Sequence, residues 1–388
     1  MKNVRMCDEL DKTCSGYADA SVLRKSAKAD RLKEERGSMR DIYIAQVPYH
    51  LLLSCNRGKK GDVLICIGQD WISSSLRGIV SKSFCIEDFY TIPPLTFYKD
   101  NLFRLLFFRL YMRAGSKALK EGSYETIYVF NDTDPIVQYL MNCLNAKTVS
   151  LIEEGIGLYW DTVKRRELFF QYLGKLFFGM NFENIRRIGE SSPVRSIFCR
   201  YPEKLNALQR GKRIIPMEAI AFKQLAERMN IERTYAENWF IGQPLVEDGV
   251  LAEDEYLSLI SKAITTIGNE NENWLIKPHP RETKDKYQRL LAPNVSILSD
   301  SRTPIELLID SWKRTNVFTV YSSAVLSLAT ICNIKCFALC LLTGKALLNE
   351  ETIEIFRSGN VEIPRTWQEA RKCGGTHAKN QDSSRILY

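Results

Sequence analysis

No stretch of about eighteen uncharged apolar residues, the least that crosses a bilayer as a helix, occurs in the 388 residues of this chain. A membrane-spanning segment is therefore not expected. The N-terminus also lacks a basic region followed by an apolar run, so it does not read as a secretory leader. Paired cysteine spacing is missing as well. The eleven cysteines are an odd number and scattered, which argues against a disulfide framework and for a reducing compartment. Cys332, Cys336 and Cys340 recur every four residues, yet zinc wants a fourth ligand and tighter pairs, and the segment is apolar. Burial is the expected fate of these thiols. No short internal repeat is visible, and histidine is scarce, with three in the chain.

A large excess of one charge is absent too: 54 basic against 46 acidic residues give a formal +8. That mild excess favours anionic ligands or an anionic lipid surface. It does not resemble the concentrated basic face of a nucleic-acid binder. The apolar share of 45% is ample for a sizeable core, and the length suggests two domains.

Residues 1–38 are rich in Lys, Arg, Asp, Glu and Ser without a steady apolar period, and are expected to be a disordered leader. From Asp41 strand and helix alternate: IYIAQV, DVLICIG, ETIYVFND and TVSLI read as strands. Asp134-Pro135 is a cap and first-turn signal for the helix PIVQYLMNCL. Residues 181–235 are less legible. A second series then begins, with NWFIGQP, NWLIKP, VSIL, NVFTVY and KCFAL as strands and AEDEYLSLISKAITTIG, TPIELLIDSW and SSAVLSLATIC as helices. Short buried strands separated by helices predict parallel βαβ units. The expected fold class is α/β, with Rossmann-like domains over 39–237 and 238–345 facing across a cleft. A C-terminal helix and loose tail are expected over 346–388. Two aromatic segments with interspersed Arg and Lys, residues 102–113 and 165–180, have two readings. They are helices docked on a core or in a homodimer, or they attach to an anionic membrane surface.

In open parallel sheets ligands collect at the carboxyl ends of the strands, and three polar groups stand there. Glu153-Glu154-Gly155 follows TVSLI. Adjacent acids repel, which raises one pKa toward a base's range, and Gly155 permits a sharp turn and close approach. A helix-start acid pair is the other reading. Lys277-Pro278-His279-Pro280-Arg281 follows NWLI. Two prolines hold the imidazole's aim, and the flanking cations suit a phosphate. Ser322-Ser323 joins NVFTVY to its helix, where hydroxyls and backbone amides suit a phosphate, or serve as an ordinary cap. Glu306 closes a capping box with Thr303 or holds ribose hydroxyls. Glu247-Asp248-Gly249 reads as a turn. Asn131-Asp132-Thr133-Asp134 is the nearest approach to a metal-binding acidic cluster, with Asp134 already a cap.

In this order, EEG at 153–155, HP at 279–280 and SS at 322–323 resemble the motifs of the bacterial sialyltransferases. YIAQVPYHLLLS and FIGQPLVEDG look like segments of glycosyltransferase family 52 and the related polysialyltransferases. The resemblance covers about residues 40–345 and implies a GT-B fold with CMP held mainly by the C-terminal half. It implies His279 as general acid toward the phosphate, Ser322 and Ser323 as phosphate ligands, and Glu306 on the ribose. Gly155, Lys277, Pro280 and Arg281 complete the expected substrate site. It also implies an acidic base on the acceptor hydroxyl, Glu154 before Glu153, with Asp248 in play. The activity implied is metal-independent, inverting transfer from CMP-sialic acid to a sugar, galactose first, of lipooligosaccharide or capsule. No cofactor is expected. The place implied is the cytoplasm or the inner face of its membrane. The alternatives are a polysialyltransferase, a relative using another nucleotide sugar, or a noncatalytic membrane-surface assembly protein.

Overall fold

In a computed structural model of the chain, the described residues are 40–59, 61–68, 80, 88–99, 102–120, 122–160, 168–268 and 271–374. The expected leader 1–38 and the end of the expected tail, 375–388, lie outside them. The chain divides into two compact units, the first ending at Ala219 and the second beginning at Ile220.

The first unit is a parallel sheet in the order β3-β2-β1-β4-β5-β6-β7. Its strands are β1 (Arg40–Ala45), β2 (Val63–Ile67), β3 (Asp88–Ile92), β4 (Tyr124–Val129), β5 (Ala146–Ile152), β6 (Val194–Cys199) and β7 (Arg213–Pro216). The sequence reason is plain in β2, whose VLICI is buried at every position, as a strand covered on both faces must be. Pro48 opens the helix Pro48–Arg57 directly after β1, where its missing N–H costs nothing. Asp134 caps the helix Pro135–Cys143 as expected, accepting from the backbone N–H groups of Ile136 and Val137. The part that was illegible in the sequence supplies β6 and β7, whose VRSIFC and RIIP are short runs, each carrying an arginine at or near its start.

The second unit repeats the plan, in the order β10-β9-β8-β11-β12-β13. Its strands are β8 (Asn238–Ile241), β9 (Trp274–Lys277), β10 (Val295–Ile297), β11 (Thr315–Thr319), β12 (Ile334–Ala338) and β13 (Val361–Glu362). In both sheets the strands run outward in two directions from the first strand, so the order reverses between β1 and β4 and between β8 and β11. Ligand crevices of doubly wound sheets open at such reversals.

Three expectations are corrected. The division falls after Ala219 instead of at 237/238, because Thr234 exchanges backbone hydrogen bonds with Leu308 and Asp310 of the second unit. Where one C-terminal helix and a loose tail are expected, the helix Glu350–Ser358 is followed by the strand β13 beside β12 and by a second helix, Trp367–Gly374, that extends into the stretch expected to be loose. Two long helices expected after β10 and β11 are short, Ile305–Leu308 and Ala324–Leu328. Ile309 instead bridges to Thr234, and Asn333 turns the chain with φ 67° into β12. Of the three evenly spaced cysteines, Cys336 and Cys340 are buried and Cys332 is exposed.

Candidate active site

The second unit sets its chemistry on one rim. Ile241 is paired with Lys277 on one side and Thr319 on the other, so β9, β8 and β11 end level. The HP turn and the SS turn begin two residues or so beyond that line. They are separated by two strand spacings, about 10 Å.

A chain of hydrogen bonds joins the two turns. On the SS side, Gln243 Oε1 accepts from the Tyr321 N–H at 2.7 Å and the Thr319 hydroxyl at 3.0 Å. Thr319 in turn accepts from the Ser322 N–H at 3.2 Å. The Gln243 N–H donates to the Tyr256 hydroxyl at 2.9 Å, which meets the Tyr287 hydroxyl at 3.3 Å. Tyr287 donates to Glu282 at 2.7 Å, and the other Glu282 oxygen accepts the His279 backbone N–H at 2.6 Å. Glu282 is buried, which raises its pKa, and Lys286 pairs with it at 2.8 Å and works the other way.

Within this frame the His279 ring is fixed by its Nδ1, which accepts the Arg281 N–H at 3.2 Å. The ring proton therefore sits on Nε2, which has no partner among the described residues. Burial, followed by the charges of Arg281 and Lys277, pushes its pKa down to about 4, so the imidazole is neutral near pH 7 and presents an N–H. The Ser322 hydroxyl accepts the Ala324 N–H at 3.4 Å, an ordinary turn bond. The Ser323 side chain makes no cap bond. The other expected ligands are placed less openly. Buried Lys277 donates to the Ser301 carbonyl at 3.0 Å. The Arg281 fork grips Asp248 at 2.9 and 3.0 Å, while Glu247 accepts from Lys286. The expected turn at 247–249 thus also braces the HP segment. Pro280 is exposed. Glu306 is buried at the start of its short helix. The capping box expected with Thr303 does not form: Pro304 is the cap residue, and Asp300 takes the Arg302 and Thr303 N–H groups.

Gly242 sits where this frame is tightest. A Cβ there would overlap a Glu282 carboxylate oxygen and come within 2.5 Å of the Tyr287 hydroxyl. Gly242→Ala is expected to cost about 1–3 kcal/mol by overpacking and to slow catalysis by loosening the His279 turn. A melting curve together with a turnover assay checks both effects.

The first unit separates the two motif acids. Glu153 is fully buried. Its Oε2 accepts from the Tyr159 hydroxyl and the Arg200 N–H, both at 2.6 Å, and the Arg200 guanidinium lies 3.6 Å from Oε1. Burial works against the Arg200 charge, yet Tyr49 and Glu153 outweigh it and keep the group cationic. Glu153→Ala leaves that cation buried without its carboxylate and is expected to cost about 3–5 kcal/mol, read as an earlier urea unfolding midpoint. Glu154, one residue on, keeps a quarter of its side chain exposed and is hydrogen-bonded to His50 Nε2. Gly155 has φ 150° and ψ −152°, a conformation only glycine populates, which directs the chain away from the acids.

His50 was missed in the sequence. It is buried, stacks on Phe130 with ring centroids 4.3 Å apart, and accepts the Gln46 N–H on Nδ1 at 3.1 Å. Those bonds leave its proton on Nε2, aimed at Glu154. The signal that could have found it is position: the first turn of the helix after the central strand β1, beside the β1/β4 reversal. Asn131-Asp132-Thr133-Asp134 is explained by structure alone. Asp132 is buried with its pKa raised by burial, and accepts from the Gly189 N–H and from Ser191, while Asp134 caps its helix. Among the described residues no group of three or more His, Cys, Asp or Glu side chains is placed to hold a metal ion.

In comparison with known proteins, the profile of glycosyltransferase family 52 matches residues 74–342. No curated protein matches the sequence. Among solved structures, UDP-GlcNAc 2-epimerase from Methanocaldococcus jannaschii is similar over 88% of this chain and 94% of that one, at 11% identity and a TM-score of 0.52. Arabidopsis thaliana UGT89C1 complexed with UDP-L-rhamnose is similar over 89% and 91%, at 10% identity and a TM-score of 0.48. The two units, each in Rossmann strand order, give the chain a GT-B type α/β fold.

Proposed function

Since this chain belongs to glycosyltransferase family 52, we propose that it is an inverting, metal-independent sialyltransferase using CMP-sialic acid. The acceptor is a terminal sugar, galactose first, of a bacterial lipooligosaccharide or capsule. The observation that carries the reading is the hydrogen-bond chain that sets the HP and SS turns on one rim.

In this reading the His279 Nε2–H and the Ser322-Ser323 turn bind the phosphate of CMP, and Glu306 serves the ribose. The neutral ring keeps its proton and strengthens its Nε2–H hydrogen bond to the phosphate oxygen as negative charge grows there, so CMP departs as the anion it already is near pH 7. Glu154 takes the proton of the acceptor hydroxyl. Its partial exposure lets a substrate reach it, whereas Glu153 is closed off. His50 aims the carboxylate and acts through it. The acceptor oxygen bonds to the anomeric carbon as the bond to the phosphate oxygen breaks, its electron pair leaving with CMP. One displacement inverts that carbon. Donors prearranged around the leaving phosphate stabilise the charge that a divalent ion would otherwise neutralise.

The test is release of CMP from CMP-sialic acid with EDTA present, beside a panel of UDP-sugars. CMP release that survives chelation, with UDP-sugars inert, is the expected result. A metal requirement, or turnover of a UDP-sugar in place of CMP-sialic acid, refutes the assignment.

A further inference from the structure

The rim that carries the HP and SS turns has a middle. β9 leads to His279 and β11 to Ser322, and β8 lies between them, paired with both. A phosphate reaches each hydrogen-bonding partner over about 3 Å, so one held by both turns stands over the end of β8. Gly242 and Gln243 continue that strand past Ile241. Gly242 offers no side chain, and the Glu282 carboxylate occupies the place where one would stand. Gln243 is therefore the first side chain that β8 presents beyond its end.

Its orientation is fixed from both sides. The Gln243 backbone N–H donates to the Tyr256 hydroxyl at 2.9 Å. The side-chain Oε1 faces the Tyr321 N–H at 2.7 Å and the Thr319 hydroxyl at 3.0 Å. A backbone N–H can only donate, so the atom it meets is the oxygen, and Nε2 takes the other end of the carboxamide. That nitrogen has no partner among the described residues and, although the residue as a whole is buried, it is not closed off from solvent. A neutral donor held in this way needs no rearrangement when charge develops beside it, which is the condition for stabilising an anion in a transition state.

We propose that the Gln243 side-chain amide donates directly to the phosphate of the nucleotide-sugar donor, between His279 and Ser322, and stabilises the charge that gathers there as the sugar departs. No proton is transferred. The bond between the anomeric carbon and the phosphate oxygen breaks, its electron pair stays on that oxygen, and the amide keeps both hydrogens. The inference rests on the second unit being the nucleotide-binding half, and not on which nucleotide it takes.

The test is Gln243→Glu, which keeps an oxygen for Tyr321 and Thr319 and puts an anionic oxygen where the donor stood. For CMP release from CMP-sialic acid, kcat should fall about 10²–10³-fold, and calorimetry should show CMP bound about tenfold more weakly or worse. Cytidine, which has no phosphate, should bind as it does to wild type, and the melting temperature should hold. Gln243→Met, of similar length and without charge, should show the same split between CMP and cytidine at smaller size; it decides the matter if Gln243→Glu does not fold. Variants that bind and turn over like wild type overturn the proposal. Equal loss of CMP and cytidine overturns it too, leaving Gln243 as no more than a joint of the frame. UDP and uridine are run beside them as a second pair. Wild type that takes UDP in place of CMP refutes the donor assignment alone and moves the comparison to that pair, whereas wild type that binds neither nucleotide overturns both.

Discussion

Replacing His279 by alanine should slow CMP release by about 10²–10⁴-fold with little change in stability. The turn is held by backbone atoms: the His279 N–H donates to Glu282 at 2.6 Å and its carbonyl accepts the Glu282 N–H at 3.0 Å. Losing the ring therefore removes the Nε2–H while the turn persists. The pH profile carries its own sign. With the pKa pushed down to about 4, the ring of the unliganded enzyme is neutral across pH 5–8, so kcat/KM should show no His279 limb in that window. A tenfold rise per pH unit on acidifying, lost in His279→Ala, would mean that the enzyme must be protonated before it binds. An unaffected His279→Ala would remove the assignment altogether.

Glu154→Gln should lower kcat by a similar factor, about 10²–10⁴, with KM for the donor changed little. The amide oxygen can still accept from His50 Nε2–H, so the fold keeps its contact while the basic oxygen is gone. Glu154→Asp keeps the charge but shortens the reach, and should recover part of the rate. Equal activity of Glu154→Gln and wild type would move the base elsewhere, with Asp248 the next residue to replace. The contrast with Glu153 is informative. Its substitution is expected to act on stability through Arg200 and Tyr159, and a fully stable, inactive Glu153→Gln would reverse the two roles.

What the sequence made legible and what it hid follow from range. The parallel strands were readable because each is a short apolar run, such as VLICI, ended by a turn residue. The three strand-end motifs were readable for the same reason, since the runs stop where polar residues begin. The division of labour inside Glu153-Glu154 was not, because it depends on Tyr159 and Arg200, the latter arriving from beyond β6. His50 stands among apolar neighbours, and its aim at Glu154 depends on a residue more than a hundred positions away. Gln243 stands in the sequence as the tail of the strand run NWFIGQP, and only the meeting of β8 with β11 reveals it as the joint between the two turns. The capping box read at Thr303 and Glu306 obeyed a local rule that the Asp300 side chain pre-empts.

The two-residue strand β13 has a practical side. It covers part of the outermost long strand of the second sheet, pairing at Cys336–Val361 and Phe337–Glu362, and it brings the buried Ile353, Ile355 and Phe356 with it. A shortened protein stopped at residue 345 would present an open β12 edge beside a stripped apolar face. Unsatisfied edges of this kind recruit further chains, so trimming the protein to its sequence-defined boundaries would make it prone to aggregate.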